Sequence, residues 1–152
     1  MNVREFLQQR GVRFSMLDHQ PTYTAQRLAQ AVHVSGDEVA KAVLLRADDG
    51  YVLAILPATR TVDFARVGQL TGAAIIELAT EIECGDCFPD CELGALPPFG
   101  SKYGLRTLVD RKLTEDEEIV FEGNNHHEAI RMKLRDYLDI ERPTIGDFSH
   151  GF

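Results

Sequence analysis

At 152 residues, 44% of them hydrophobic and 26% charged, the chain has the size and composition of one folded domain rather than of a disordered or fibrous protein. A net charge of −8 argues against broad affinity for DNA or RNA, which needs clustered Lys and Arg, and confines any nucleic-acid contact to a small patch at one end of the polymer. No run approaches the roughly eighteen apolar residues of a membrane span, and Met1-Asn2-Val3-Arg4-Glu5 opens without a signal-peptide core, so neither a span nor export is indicated and the expected compartment is the cytoplasm.

In chain order, Asn2 caps a first helix on which Val3, Phe6 and Leu7 recur at helical spacing, and Gly11 ends it. Val12 to Leu17 alternates as a strand. After the Gln20-Pro21 turn, Thr24 caps a helix through Leu28, Ala29 and Val32, and a short helical turn starts at Ser35. Lys41 then opens a strand over Ala42 to Arg46, Ala47-Asp48-Asp49-Gly50 is a hairpin signal, and Tyr51 to Leu56 is the apolar return strand. Pro57 to Arg60 reads as loop. Thr61 or Asp63 starts a helix whose core face is Val62, Ala65, Val67 and Leu70, with Gly72 as its stop.

Ala73 to Leu78 is a short strand, and Thr80 caps one or two helical turns that reach Phe88. Pro89 to Gly104 is irregular, Arg106 to Asp110 and Glu118 to Glu122 are strands, and Gly123-Asn124-Asn125 is a turn with His126 and His127 at its exit. Glu128 to Met132 is the last strand, Leu134 to Ile140 the closing helix, and Thr144 to Phe152 a tail. With hairpin-linked neighbours, the order predicts one mixed α/β domain spanning 1–152 with an antiparallel or mixed sheet, not a doubly wound parallel one.

The stretch Gly94-Ala95-Leu96-Pro97-Pro98-Phe99-Gly100 is neither helix nor strand. Two prolines remove two donors and the flanking glycines permit unusual backbone angles, so it must be a rigid loop that aims its remaining amides. Such a loop suits a carbonyl oxygen or an anion. Cys84, Cys87 and Cys91 have C-x-x-C spacing but lack an obvious fourth zinc ligand, and three clustered cysteines fit a reducing compartment. The run Glu115-Asp116-Glu117-Glu118 reads as a solvated face. Adjacent histidines point to opposite faces of a strand, so one of His126 and His127 at most enters a site, and His126 is the better choice.

Taken in order, Tyr23-Thr24-Ala25, Val39-Ala40-Lys41-Ala42-Val43-Leu44, Leu56-Pro57-Ala58 with Asp63, Gly94 to Gly100, and Asn125-His126-His127-Glu128-Ala129-Ile130-Arg131-Met132 make nearly the whole chain resemble the YbaK-like proteins and the inserted editing domain of bacterial prolyl-tRNA synthetases. The resemblance implies a mixed, largely antiparallel, curled and partly barrel-like sheet with surrounding helices. It also implies trans-editing, the hydrolysis of a mischarged aminoacyl-tRNA ester without metal or cofactor, with tRNA for proline carrying alanine, cysteine or another small residue as the expected substrate. Lys41 matches the lysine expected to hold the terminal nucleotide, Gly94 to Pro98 the G-x-x-x-P loop whose amides bind the ester carbonyl, Tyr23 and Thr24 the first wall of the pocket, and His126 a pocket-shaping histidine.

Catalysis therefore falls to Lys41, Gly94 and Pro98, and substrate binding to Tyr23, Thr24, His126, Ala95, Leu96 and Phe99, with the three cysteines as an alternative metal set. Partners are the acceptor end of aminoacyl-tRNA and a synthetase; DNA and membranes are not expected. The cysteine cluster, the doubled histidine and the tail depart from the family's pattern and bear on substrate choice. An aminoacyl ester is already activated, so a fixed carbonyl, amides at the developing oxyanion and a positioned water suffice. No G-x-S-x-G elbow is present. The other reading of the same residues is a non-catalytic module that binds an aminoacyl or nucleotide end, or a synthetase partner.

Overall fold

The computed structural model describes residues 1–151, in the order α1 (Val3–Gln9), β1 (Phe14–Asp18), α2 (Ala25–Ala31), β2 (Ala40–Ala47), β3 (Gly50–Pro57), β4 (Arg60–Val62), α3 (Phe64–Thr71), β5 (Ile76–Leu78), α4 (Glu81–Cys87), β6 (Arg106–Asp110), β7 (Glu118–Glu122), β8 (Glu128–Lys133), α5 (Leu134–Glu141), β9 (Thr144–Gly146) and β10 (Ser149–Gly151). Four helices begin where a side chain satisfies an otherwise orphaned amide. Asn2 accepts from the Glu5 N–H at 2.8 Å, Thr24 from Arg27 at 3.1 Å, and Asp63 from Arg66 at 3.2 Å. Thr80 and Glu83 cap each other's backbone reciprocally, at 3.1 and 2.9 Å.

Strand β3 is apolar throughout because both its faces are covered. It is the middle strand of a five-stranded mixed sheet, β5-β2-β3-β6-β9, antiparallel to β2 and parallel to β6. Leu53 and Ile55 face the main core with Leu44, Phe99, Phe121, Ile130 and Tyr137; Val52, Ala54 and Leu56 face a second core closed by Val67 of α3 and by Phe148. A three-stranded antiparallel sheet, β1-β8-β7, packs across the main core, and α1 adds Val3, Phe6 and Leu7 to it. The two sheets meet at a parallel bridge between Val39 and Val120, where α2 covers a third cluster through Leu28 and Ala29. That junction carries the site described below. No helix of the described residues is long and apolar enough to cross a membrane.

Several boundaries differ from the sequence reading. The segment after α5 is not a tail: β9 joins β6 in parallel and β10 pairs with β4, so α5 is not the closing element and β8 is not the last strand; only Phe152 of the expected tail lies outside the described residues. Asp110, almost fully buried, holds this segment by accepting from the Phe148 N–H at 3.0 Å and the Ser149 hydroxyl at 2.8 Å. Arg60 and Val62 belong to β4 instead of a loop and a helix, and Ala65 is exposed, because α3 starts at Asp63 and turns Val67 toward the sheet. The strands form three distinct sheets, of which the five-stranded and the three-stranded one are joined by the Val39–Val120 bridge.

Candidate active site

At the sheet junction a cavity of about 120 Å³ opens between α2, β2, β7 and the Gly94 loop. Tyr23, Thr24, Ala25 and Leu28 form one wall, Val39 to Val43 with Lys41 a second, and Gly94, Leu96 and Glu122 the rest. Lys41 reaches the site because β2 pairs with β3 in the register Lys41 to Leu56, beside the Val39 bridge that closes the junction. Its ammonium is half-buried, and desolvation lowers its pKa from the usual lysine range. Tyr23 is 74% exposed and leans on the His126 ring, with centroids 4.8 Å apart.

The loop is rigid for reasons its own residues supply. Gly94 has φ +82°, in the left-handed region that favours glycine, whereas Gly100 is a glycine because a Cβ there would lie 2.4 Å from Thr107 Oγ1. Residues from Ala95 to Gly100 are buried. The Pro98 carbonyl accepts from the Tyr137 hydroxyl at 2.6 Å, and the Gly100 N–H donates to Thr107 at 3.0 Å. Phe99 is packed edge-on among Phe6, Phe121 and Tyr137 at 5.1 to 5.6 Å. Prolines 97 and 98 have no N–H, and the Ala95 N–H is engaged by Glu92 O at 3.0 Å. Within the loop, the amides of Gly94 and Leu96 stand at the cavity edge and donate to no acceptor among the described residues.

His126 sits 6% exposed behind this edge. Its Nε2 lies 2.6 Å from the Leu93 carbonyl, which can only accept, so Nε2 carries the hydrogen. Nδ1 then faces Glu122 Oε2 at 3.4 Å, within ion-pair range but without hydrogen-bond geometry, and both atoms are buried with no hydrogen-bond partner. Burial pushes the Glu122 carboxyl up to about 7, against the lowering influence of His126 and with a further raise from Glu92.

The structure thus brings together Lys41, Gly94, Leu96, Tyr23 and Thr24 around one cavity, with His126 against Tyr23 and Gly94. It leaves Ala95, Pro98 and Phe99 in the buried interior, where they hold the loop instead of lining the pocket. His126 and His127 lie in the bend between β7 and β8 instead of on a strand, and His127 is exposed. Glu122 is the residue that sequence reading missed. It stood as the polar position of an alternating strand, and the available signal was a carboxylate four residues before His126.

The cysteines do not converge. Among the described residues no three His, Cys, Asp or Glu side chains are grouped to hold a metal. Cys84 and Cys87 pack against the core, and Cys91 sits 3.2 Å from Asn124 Nδ2 and 3.5 Å from the Tyr103 hydroxyl, its thiol pushed up to about 11 by burial. Such a thiol is neither a ready nucleophile nor a ready ligand.

A mixed α/β domain with a pocket the size of a side chain, bordered by an aimed backbone loop and a half-buried lysine, is the layout of a domain that holds an acyl group. The model of the aminoacyl-tRNA editing domain family matches residues 19–140, and the chain belongs to that family. Its reaction class is hydrolysis of an aminoacyl-tRNA ester. It is 27% identical over 147 residues to the multifunctional Ser/Thr-tRNA deacylase ProXp-y of Escherichia coli (strain K12), covering 93% of this chain and 87% of that one. The proline–tRNA ligase of Bacillus subtilis (strain 168) is 26% identical over 131 residues, 82% of this chain and 23% of the ligase. A crystal structure of a candidate trans-editing enzyme for prolyl tRNA synthetase shares the fold, with a TM-score of 0.87 at 22% identity over 98% of this chain and 95% of that chain.

Proposed function

We propose that the chain acts in trans as a deacylase of tRNA carrying a small, wrongly attached amino acid, with Lys41, Gly94 and Leu96 as the groups that touch the substrate. The observation that carries this reading is that these three line one cavity of about 120 Å³, well below the roughly 300–1,000 Å³ of pockets that enclose larger ligands. The side chain enters the cavity against Tyr23 and Thr24. The ester carbonyl rests on the Gly94 and Leu96 amides, and Lys41 holds the terminal phosphate or sugar outside. Water positioned by the free ribose hydroxyl adds to the carbonyl carbon, the amides stabilise the tetrahedral oxyanion, and the ester C–O bond breaks to release the amino acid and the tRNA hydroxyl.

Size is the selective principle. A synthetase pocket rejects a smaller or near-isosteric amino acid by only about 1–3 kcal/mol per methylene, and a second site of different shape multiplies that discrimination. The setting is the cytoplasm, with an aminoacyl-tRNA synthetase as a partner for capture. The test is deacylation of tRNA for proline charged with alanine, cysteine, serine, threonine or proline, by wild type and Lys41→Ala side by side. The names of the relatives support these choices. Rapid loss of one mischarged species with prolyl-tRNA spared, abolished in Lys41→Ala, is the expected result. Absence of hydrolysis on every species overturns the reading in favour of a binding module.

A further inference from the structure

Glu122, at the end of β7, has no part in the chemistry above, yet among the described residues it is the carboxylate that lines the cavity, as Lys41 is the cation. The groups that face it are His126 from the β7–β8 turn and Glu92 from the loop after α4, and Lys41 on β2 lines the same cavity. His126 Nε2 is committed to Leu93, and the Nδ1 to Oε2 approach lacks hydrogen-bond geometry. The carboxyl is therefore enclosed and incompletely satisfied by the protein, a costly state that a bound donor relieves.

An aminoacyl ester presents such a donor. Its α-ammonium group is one carbon from the ester carbonyl, and a carbonyl at Gly94 puts that ammonium inside the small cavity that Gly94 and Glu122 share. Its other charge, the terminal phosphate, is opposite in sign and matches Lys41. The cation and the carboxylate that the described lining residues supply thus mirror the two charges of the substrate.

We propose that Glu122 is a specificity-determining residue that binds the α-ammonium group of the aminoacyl ester, so that the site accepts free aminoacyl groups and rejects N-acylated ones. This deepens the deacylase reading and rests on it. The raised carboxyl pKa fits the role, since an ammonium docked on Glu122 favours the carboxylate form and offsets its desolvation.

The experiment measures kcat/KM of wild type, Glu122→Gln and Glu122→Asp on the best aminoacyl-tRNA of the panel and on the same tRNA after N-acetylation. Wild type should prefer the free amine by about ten- to a hundredfold, the range of a charge-assisted hydrogen bond. Glu122→Gln should bring the ratio near one by slowing the free-amine substrate, mainly through KM, and Glu122→Asp should restore part of it. A general structural defect would lower both substrates together and leave the ratio unchanged. Equal rates on the two substrates in wild type, or an unchanged ratio in Glu122→Gln, overturn the proposal while leaving deacylation standing. Hydrolysis of neither substrate by wild type overturns the deacylase reading and this one with it.

Discussion

Replacing Glu122 by Gln should change how the stability of the protein depends on pH, in a direction the structure fixes. The folded carboxyl releases its proton at about 7 because it is buried, whereas in the unfolded chain a glutamate releases it near 4.3. Between those values the folded state binds more protons than the unfolded state, so stability falls as pH rises. The slope is about 1.4 kcal/mol per pH unit, which integrates to roughly 3–4 kcal/mol across the window and levels off above 7. The side chain is 13% exposed, so solvent screening removes little of this. Below about pH 4 wild type and Glu122→Gln should be similarly stable, and above 7 the variant should be the more stable, by about 10 °C in Tm for a chain of this length. Urea unfolding at half-unit pH steps from 4 to 8 measures the difference between the two proteins and cancels the titrations of groups that Glu122 does not touch. A difference that stays flat across the window, or a variant less stable than wild type above pH 7, refutes the reasoning.

Other outcomes follow from single contacts. Gly94→Ala places a Cβ at ordinary contact distance from His126 Cε1, 3.7 Å, but forces an L side chain to φ +82°; the expected cost is about 1–2 kcal/mol in thermal unfolding, with a larger loss of deacylation. Tyr137→Phe leaves the buried Pro98 carbonyl without its donor. It should lower stability by about 1–3 kcal/mol in urea unfolding and reduce kcat on the preferred substrate. Thr80→Ala breaks the capping box of α4 and should cost about 1 kcal/mol in the same assay, with kcat/KM unchanged because α4 contributes no residue to the cavity lining.

Much of this protein is written in local chemistry. Asn2, Thr24, Asp63 and Thr80 each stand where a helix starts, since a cap needs only its own helix, and the β2–β3 hairpin follows from its turn and two apolar runs. The missed strands are the opposite case. Strands β4, β9 and β10 have three residues each and exist because distant segments accept their hydrogen bonds, as in the pairing of Ser149 with Val62 or of Thr144 with Leu108. No periodicity fits in three residues. The site divides the same way. Lys41 and the glycine-proline loop announce themselves by composition, while Glu122 alternates like a solvated position and is enclosed only because α2, the Gly94 loop and the Val39 bridge cover its side of β7. Phe99 and Pro98 look like pocket residues in a motif, and their burial is decided by α1, β7 and α5, which lie far away in sequence.

The anchoring of the glycine-proline loop has a consequence for how this site can change. Its amides are fixed by Tyr137, Thr107 and the aromatic cluster around Phe99, so re-aiming them means repacking the interior of the molecule. The facing wall differs: Tyr23 is exposed ahead of the seven-residue helix α2 and can be altered with little effect on the core, whereas Thr24 is that helix's N-cap. The pocket therefore joins a half that is hard to mutate, to which the proposed reaction assigns the carbonyl, to a half that is easier to mutate, to which it assigns the side chain. On that proposal, new substrate preferences are cheapest to obtain from the second half, and engineering of this domain toward another amino acid should begin at position 23.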